Sequence, residues 1–256
     1  MSMSINITKQ PRAQVKKYSI DDIKQLFVKA IKQKCANSQY ILGKYYVNEK
    51  KNLKQGFNWY LQAAEQGLDV AQYRVADCYG RSQGVEHNME EAFKWCKKAA
   101  EQNHNIAQYQ LGSCYEYGKG CDANIKKAYI WYVKASGQNV PEAQYNLGLI
   151  YETGKCGVKN TLKALELYSN AAKKGLPEAQ YKVGVFNESI GNIPEALKYY
   201  TLAAEQNDVN AQYRLGVIYK KAAEQDDIDI CKMNDALDII DILDKMYQMN
   251  PGETIN

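Results

Sequence analysis

Residues Ala107 to Asn139 read AQYQLGSCYEYGKGCDANIKKAYIWYVKASGQN, and this stretch decides the fold because the chain repeats it. Its opening pair, Gln108-Tyr109, recurs as Gln39-Tyr40, Gln72-Tyr73, Gln144-Tyr145, Gln180-Tyr181 and Gln212-Tyr213, with tyrosine spacings of 33, 36, 36, 36 and 32 residues. A period of this length marks a repeat architecture: one unit cannot bury its apolar stripes alone, so stacking on neighbours supplies the core. After each anchor tyrosine come a Leu or Val and usually a Gly, as in Leu111-Gly112 and Leu147-Gly148. Six residues after the anchor stands a second aromatic, Tyr46, Tyr79, Tyr115, Tyr151 or Tyr219, with Asn187 as the exception.

The second half of each unit starts at an asparagine, Asn52, Asn88, Asn124, Asn160 or Asn192. Its side chain can accept the orphan amide hydrogens of a helix start, so these read as N-caps. Asn88 with Glu91 approximates a capping box, and Pro194 needs no amide hydrogen at a helix start. Behind each cap the small and aromatic residues repeat at offsets of three, four and seven to eight, as in Ala92, Trp95, Ala99 and Ala100, which is one helical stripe. The units stop at Gly67, Asn103, Asn139, Gly175 and Asn207, residues that tolerate the left-handed backbone closing a helix. Each unit is therefore helix A, a loop, helix B and a short turn. Alanines and glycines at fixed positions let the helices approach closely while tyrosines fill the remaining space, which accounts for 21 tyrosines beside 4 phenylalanines.

The ends follow the same register. Ser19 lies 33 residues before Asn52, and Ile23, Leu26, Phe27, Ala30 and Ile31 form a stripe, so 19–34 is expected to be a lone helix B that caps the start. Ala236, Leu237, Ile239, Ile240, Leu243 and Met246, interleaved with four aspartates, predict a polar-faced closing helix. The expected organisation is a mobile tail over 1–17, one repeat domain over 18–250 and a tail over 251–256. Repeats lie near 36–67, 69–103, 105–139, 141–175, 177–207 and 209–248, which makes about 13 helices.

Composition narrows the function. With 45% hydrophobic and 24% charged residues in 256, the chain folds, and a net charge of +4 from 33 basic and 29 acidic residues argues against specific nucleic-acid binding. Seven cysteines without a C-x-x-C pair fit reduced thiols. No apolar run reaches the roughly 18 residues of a membrane span, and the first twenty residues lack a secretory apolar core, so the expected location is the cytoplasm. Charge is uneven: residues 1–54 carry 12 basic and 3 acidic groups, a net of +9, and residues 205–256 carry 5 and 11, a net of −6. That asymmetry admits weak head-to-tail self-association; the plainer alternative is two solvated ends.

An enzyme requires a convergent set of acid, base, nucleophile or metal ligands, and none is legible, so no cofactor or metal is expected. His87 and His104 fall in loops or turns, where a solvent-exposed structural role is expected. Cys78, Cys114 and Cys96 occupy positions filled elsewhere by apolar or aromatic residues. Cys121 and Cys156 lie in adjacent loops without a second ligand pair.

Units such as Ala107 to Asn139 resemble the Sel1-like repeat family, relatives of the tetratricopeptide repeat with a longer loop between helices. The resemblance covers roughly Ser19 to Gln248. It departs in the loop glycines, intact at Gly118 and Gly120, shifted to Gly154 and Gly157, reduced to Gly84 in the second unit, and shortened in units one and five. The resemblance implies an all-α, right-handed superhelical solenoid whose helices A line a concave face, and a non-enzymatic adaptor role. By analogy the partner-binding residues are Tyr73, Tyr109, Tyr145, Tyr181 and Tyr213, with Leu149, Val185 and Val217 one helical turn beyond. The expected occupant is an apolar or helical segment of a partner protein or peptide, because tyrosine offers large contact area at low entropy cost. The alternative is a secreted or injected factor, either a host-acting effector or a beta-lactam hydrolase. The cysteine-rich branch of the family staples helix B to the next helix A by a disulfide across eight residues. Here the matching positions hold Ala64 and Gln72, Ala100 and Gln108, and Ala172 and Gln180.

Overall fold

The structure is a computed structural model that describes residues 19–157 and 159–224. The expected tails at 1–17 and 251–256 and the closing helix expected at 235–246 lie outside the described residues. The described residues form α1 (Ile20–Ile31), α2 (Ala36–Asn48), α3 (Leu53–Glu65), α4 (Asp69–Arg81), α5 (Met89–Glu101), α6 (Asn105–Tyr117), α7 (Ile125–Gly137), α8 (Pro141–Thr153), α9 (Thr161–Lys173), α10 (Pro177–Ser189), α11 (Ile193–Ala204) and α12 (Val209–Glu224). They divide into two compact units, one up to Lys98 and one from Ala99 onward. In the first, α1 packs on α2, α2 on α3 and α3 on α4; in the second, consecutive helices from α6 to α12 pack in the same sequential way. Each unit is a stack of antiparallel helix pairs.

Local chemistry fixes where these helices begin and end. Ser19 and Asp22 form a reciprocal capping box at α1. The side chains of Asn52, Asn88, Asn124 and Asn160 accept from the amides of Gln55, Glu91, Lys127 and Lys163 at 2.9–3.0 Å. The Asn88 box is not reciprocal: the Asn88 amide donates to the Tyr79 carbonyl at 3.2 Å, and the Glu91 carboxylate holds Lys94 Nζ at 2.7 Å. The loops differ in length yet close alike. The amide of each capping asparagine donates back to the carbonyl six residues past the anchor tyrosine: Asn52 to Tyr46, Asn88 to Tyr79, Asn124 to Tyr115, Asn160 to Tyr151 and Asn192 to Asn187.

Asn192 departs from the expected cap. Its side chain does not accept from the Glu195 amide, the bond that the other caps make three residues on; its Nδ2 turns to Asn187 Oδ1 at 3.4 Å. Asn187 stands where the other repeats have tyrosine, and its own amide donates to the Val183 carbonyl at 2.9 Å. The sixth repeat departs too: α12 has 16 residues where most of the other helices have 13, running straight on through Lys221 and Ala222.

The core is an alternation of absent and large side chains. A Cβ added at Gly43, Gly112, Gly148 or Gly184 would come within 2.4–2.7 Å of the ring of Tyr60, Tyr132, Tyr168 or Tyr200, so glycine is required where helix A meets helix B. In the second repeat the same two positions hold Ala76 and Cys96, both buried: the smaller thiol side chain accompanies the extra methyl. Around these pairs Ala63, Ala99, Ala135, Ala171 and Ala203 are fully buried and set the helix spacing. Full burial of each large ring contributes on the order of 1.5–3 kcal/mol.

Candidate functional site

The anchor tyrosines sit on the A helices, and four of them pack against the ring of a helix B tyrosine. Tyr40 lies 5.6 Å from Tyr60, Tyr109 6.0 Å from Tyr132, Tyr145 5.6 Å from Tyr168 and Tyr181 5.8 Å from Tyr200, ring centroid to centroid. Tyr73 is half-buried in the first unit, with the Arg74 guanidinium 5.9 Å from its ring. In the second unit Tyr109, Tyr145 and Tyr181 are half-buried and Tyr213 is 53% exposed. Of the apolar row one turn on, Leu149 and Val217 are half-buried and Val185 is 36% exposed. Val185 also lines a cavity of about 180 Å³ with Leu165, Tyr168, Phe186 and the Glu152–Lys182 pair. These tyrosines are thus packing residues and surface residues together.

Beneath this row runs a polar series that the sequence reading missed. The hydroxyls of Tyr132, Tyr168 and Tyr200, on the B helices, each donate at 2.7 Å to a carboxylate on the preceding A helix: Glu116, Glu152 and Glu188. Two of these carboxylates are closed by a cation from the following A helix. Lys182 Nζ lies 2.9 Å from Glu152, and Arg214 binds Glu188 bidentately, Nη2 to Oε1 at 2.6 Å and Nε to Oε2 at 3.2 Å. At the third, Asn146 Nδ2 donates to the Tyr132 hydroxyl at 3.2 Å. The available signal was a glutamate seven residues after the anchor tyrosine in three successive repeats, with Lys182 and Arg214 directly following two anchors.

The electrostatics follow from this geometry. Burial pushes the Tyr132, Tyr168 and Tyr200 hydroxyls far above the ordinary phenol value, and their glutamate acceptors push further in the same direction. Burial works to raise the Glu152 and Glu188 carboxyls, but donors from Tyr168 and Lys182, and from Tyr200 and Arg214, outweigh it and hold both below the usual range. Tyr109 is raised by burial and then by Glu142 and Glu116; Tyr145 by burial and then by Glu178 and Glu152.

On another side of each A helix lies a second polar series. Gln39, Gln72, Gln108, Gln180 and Gln212 donate through Nε2 to the carbonyls of Ala30, Ala64, Ala100, Ala172 and Ala204 at 3.2–3.3 Å. An amide hydrogen bond thus joins Ala64 to Gln72, Ala100 to Gln108 and Ala172 to Gln180, the eight-residue pairs that hold no cysteine in this chain.

The other residues singled out have structural places. His104 Nδ1 accepts from the Ala107 amide at 3.1 Å, capping α6, and the residue is half-buried where a solvent-exposed turn was expected; His87 is exposed. Cys78 and Cys96 are buried, and burial raises the Cys78 thiol to about 11. Cys121 and Cys156 direct their thiols to the Cys114 and Ile125 carbonyls, each at 3.6 Å. Among the described residues no group of His, Cys, Asp or Glu could hold a metal ion, and no helix is long and apolar enough to cross a membrane.

The repeat register and its helix pairs match the Sel1 repeat at residues 36–68, 69–104, 105–140, 141–176, 177–208 and 209–222. The chain belongs to the Sel1 repeat family. Like other Sel1 repeat proteins it is all-α, built from helix pairs packed in sequence. A Sel1 repeat protein from Oxalobacter formigenes has a similar structure, with a TM-score of 0.71 and 31% identity over 86% of this chain and 91% of that one. So has c5321, a protective antigen of uropathogenic Escherichia coli strains with an SLR fold, with a TM-score of 0.71 and 29% identity over 78% of this chain. This Sel1 repeat chain spans 44% of the length of c5321. No curated protein sequence matches it significantly.

Proposed function

We propose that this Sel1 repeat protein is a non-enzymatic adaptor that holds a segment of a partner protein against the tyrosine-lined face of its A helices. The observation that carries this reading is the aromatic row of the second unit. Tyr109, Tyr145 and Tyr181 are each only half-buried, and each packs on a tyrosine whose hydroxyl is fixed by a glutamate. A pre-positioned aromatic loses little side-chain entropy on binding, the property that makes tyrosine an effective interface anchor. Leu149, Val185 and Val217 extend the row with apolar surface for a helical or extended segment, and Tyr73 offers the equivalent anchor in the first unit. The proposal includes a cytoplasmic setting, supported by cysteines that occupy packing positions; seven titratable thiols in the denatured native protein would agree with it.

The double substitution Leu149→Glu/Val185→Glu tests the face itself. Two carboxylates in the apolar row should abolish capture of partner proteins by affinity purification while circular dichroism shows retained helix. Unchanged capture by a folded double variant rejects the reading.

A further inference from the structure

In the second unit the A helices α6, α8 and α10 are acidic and the B helices between them, α7 and α9, are basic. Together α6, α8 and α10 carry five glutamates and one lysine, a net of −4, while α7 and α9 carry five lysines and one glutamate, a net of +4. Over α6 to α10 charge is thus sorted by face, while α11 is neutral and α12 carries a net of +2. Only part of the excess on the A face is neutralised internally. Glu152 and Glu188 are closed by Lys182 and Arg214, whereas Glu116, Glu142 and Glu178 form no ion pair among the described residues.

The three Tyr–Glu pairs give an internal comparison. They are equivalent in sequence register and in geometry, each with a 2.7 Å bond from the tyrosine hydroxyl. At two of them the chain supplies a lysine or arginine at the residue following the next anchor tyrosine, and both cations are seated on the carboxylate. At Glu116 that residue is Asn146, which bonds the Tyr132 hydroxyl and brings no charge. The surroundings are also those that favour a cation. Tyr109, half-exposed and packed on Tyr132, lies in the field of Glu116, Glu142 and Glu178 together. An aromatic ring bordered by carboxylates attracts ammonium and guanidinium groups through both its face and its charge.

We propose that the tyrosine-lined face of the second unit binds a basic protein segment, and that a lysine or arginine of that segment seats on Glu116 beside Tyr109, as Lys182 and Arg214 seat on the equivalent glutamates. This rests on the adaptor reading and specifies the chemistry of its partner. The basic segment runs past Glu142 and Glu178 at the starts of α8 and α10, and its apolar residues meet the tyrosines.

The test uses the full chain and a phage-displayed library of random twelve-residue peptides, followed by fluorescence anisotropy with a labelled synthetic copy of the most enriched peptide. The variant Asn146→Lys supplies the chain's own cation to Glu116; Glu142→Gln/Glu178→Gln removes exposed charge without touching the core. The expected result is enrichment of lysine- and arginine-bearing peptides. Affinity should fall about tenfold or more in Asn146→Lys and in the double variant, with both variants still folded and melting cooperatively. Enrichment of neutral or acidic peptides, or basic peptides held equally well by Asn146→Lys, overturns the inference and leaves the adaptor reading standing. No enrichment at all overturns it as well, and capture of partners by the parent chain but not by Leu149→Glu/Val185→Glu then shows that only the chemistry of the segment was misjudged.

Discussion

A single buried oxygen shows how far each position of the repeat is specified. Beyond its bond to an alanine carbonyl, the repeat glutamine accepts from a second glutamine at the end of helix B: Gln66 donates to Gln39, Gln138 to Gln108 at 2.7 Å, and Gln206 to Gln180 at 2.9 Å. At Gln144 the equivalent residue is Lys174, which is exposed, and the buried Gln144 Oε1 has no hydrogen-bond partner among the described residues. An unsatisfied buried acceptor costs about 1–3 kcal/mol, so Lys174→Gln should recover part of it, about 1 kcal/mol, in urea unfolding. An unchanged or lower midpoint would show that the acceptor is satisfied another way.

The helices owe their uniform length to their ends more than to their interiors. Most have 13 residues, bounded by an asparagine cap or a short extended residue before and a left-handed residue after, with φ of 68° at Asn103, 62° at Asn139 and 65° at Asn207. Four of the five asparagine caps are made, and the fifth, Asn192, is diverted to Asn187. Asn124→Ala and Asn160→Ala should therefore each cost about 1 kcal/mol of stability, while Asn192→Ala costs only a few tenths. Chemical denaturation of the three variants side by side decides this, and equal losses would contradict the assignment of the caps.

Taken over the chain, the Tyr–Glu–cation series makes stability depend on pH at both extremes. The Glu152 and Glu188 carboxyls titrate lower in the folded protein than in the unfolded chain. Their contribution is therefore complete above the ordinary glutamate value of about 4.3 and is lost as pH falls through the depressed folded values. The tyrosines shift the other way: with folded values raised, their contribution is complete below about pH 10 and is lost as pH rises beyond it. Melting temperature should thus form a plateau that falls on both sides. Glu152→Gln should flatten the acid limb, and tyrosinate absorbance at 295 nm from the core rings should appear only with unfolding. An acid limb identical in Glu152→Gln would exclude that carboxylate as its source.

The repeat period, the helix pairing, most of the caps and the Gly–Tyr contacts were written in one dimension, because each depends on residues whose spacing is held by helical geometry or recurs unit after unit. The cap at Asn192 misled because its replacement bond comes from Asn187, a substitution visible in the chain whose consequence depends on how a shortened loop turns. The candidate face was half legible. Its tyrosines could be aligned by counting, but their exposure depends on the ring beneath each one. The partners of Glu116, Glu152 and Glu188 lie 12–30 residues away on two other helices. Which of a helix's polar residues faces its neighbour is set by the rotation and offset of packed helices. A linear pattern does not carry those quantities, so only the folded chain shows two glutamates closed by their own cations and a third, Glu116, held by the Tyr132 hydroxyl alone while Asn146 bonds that hydroxyl.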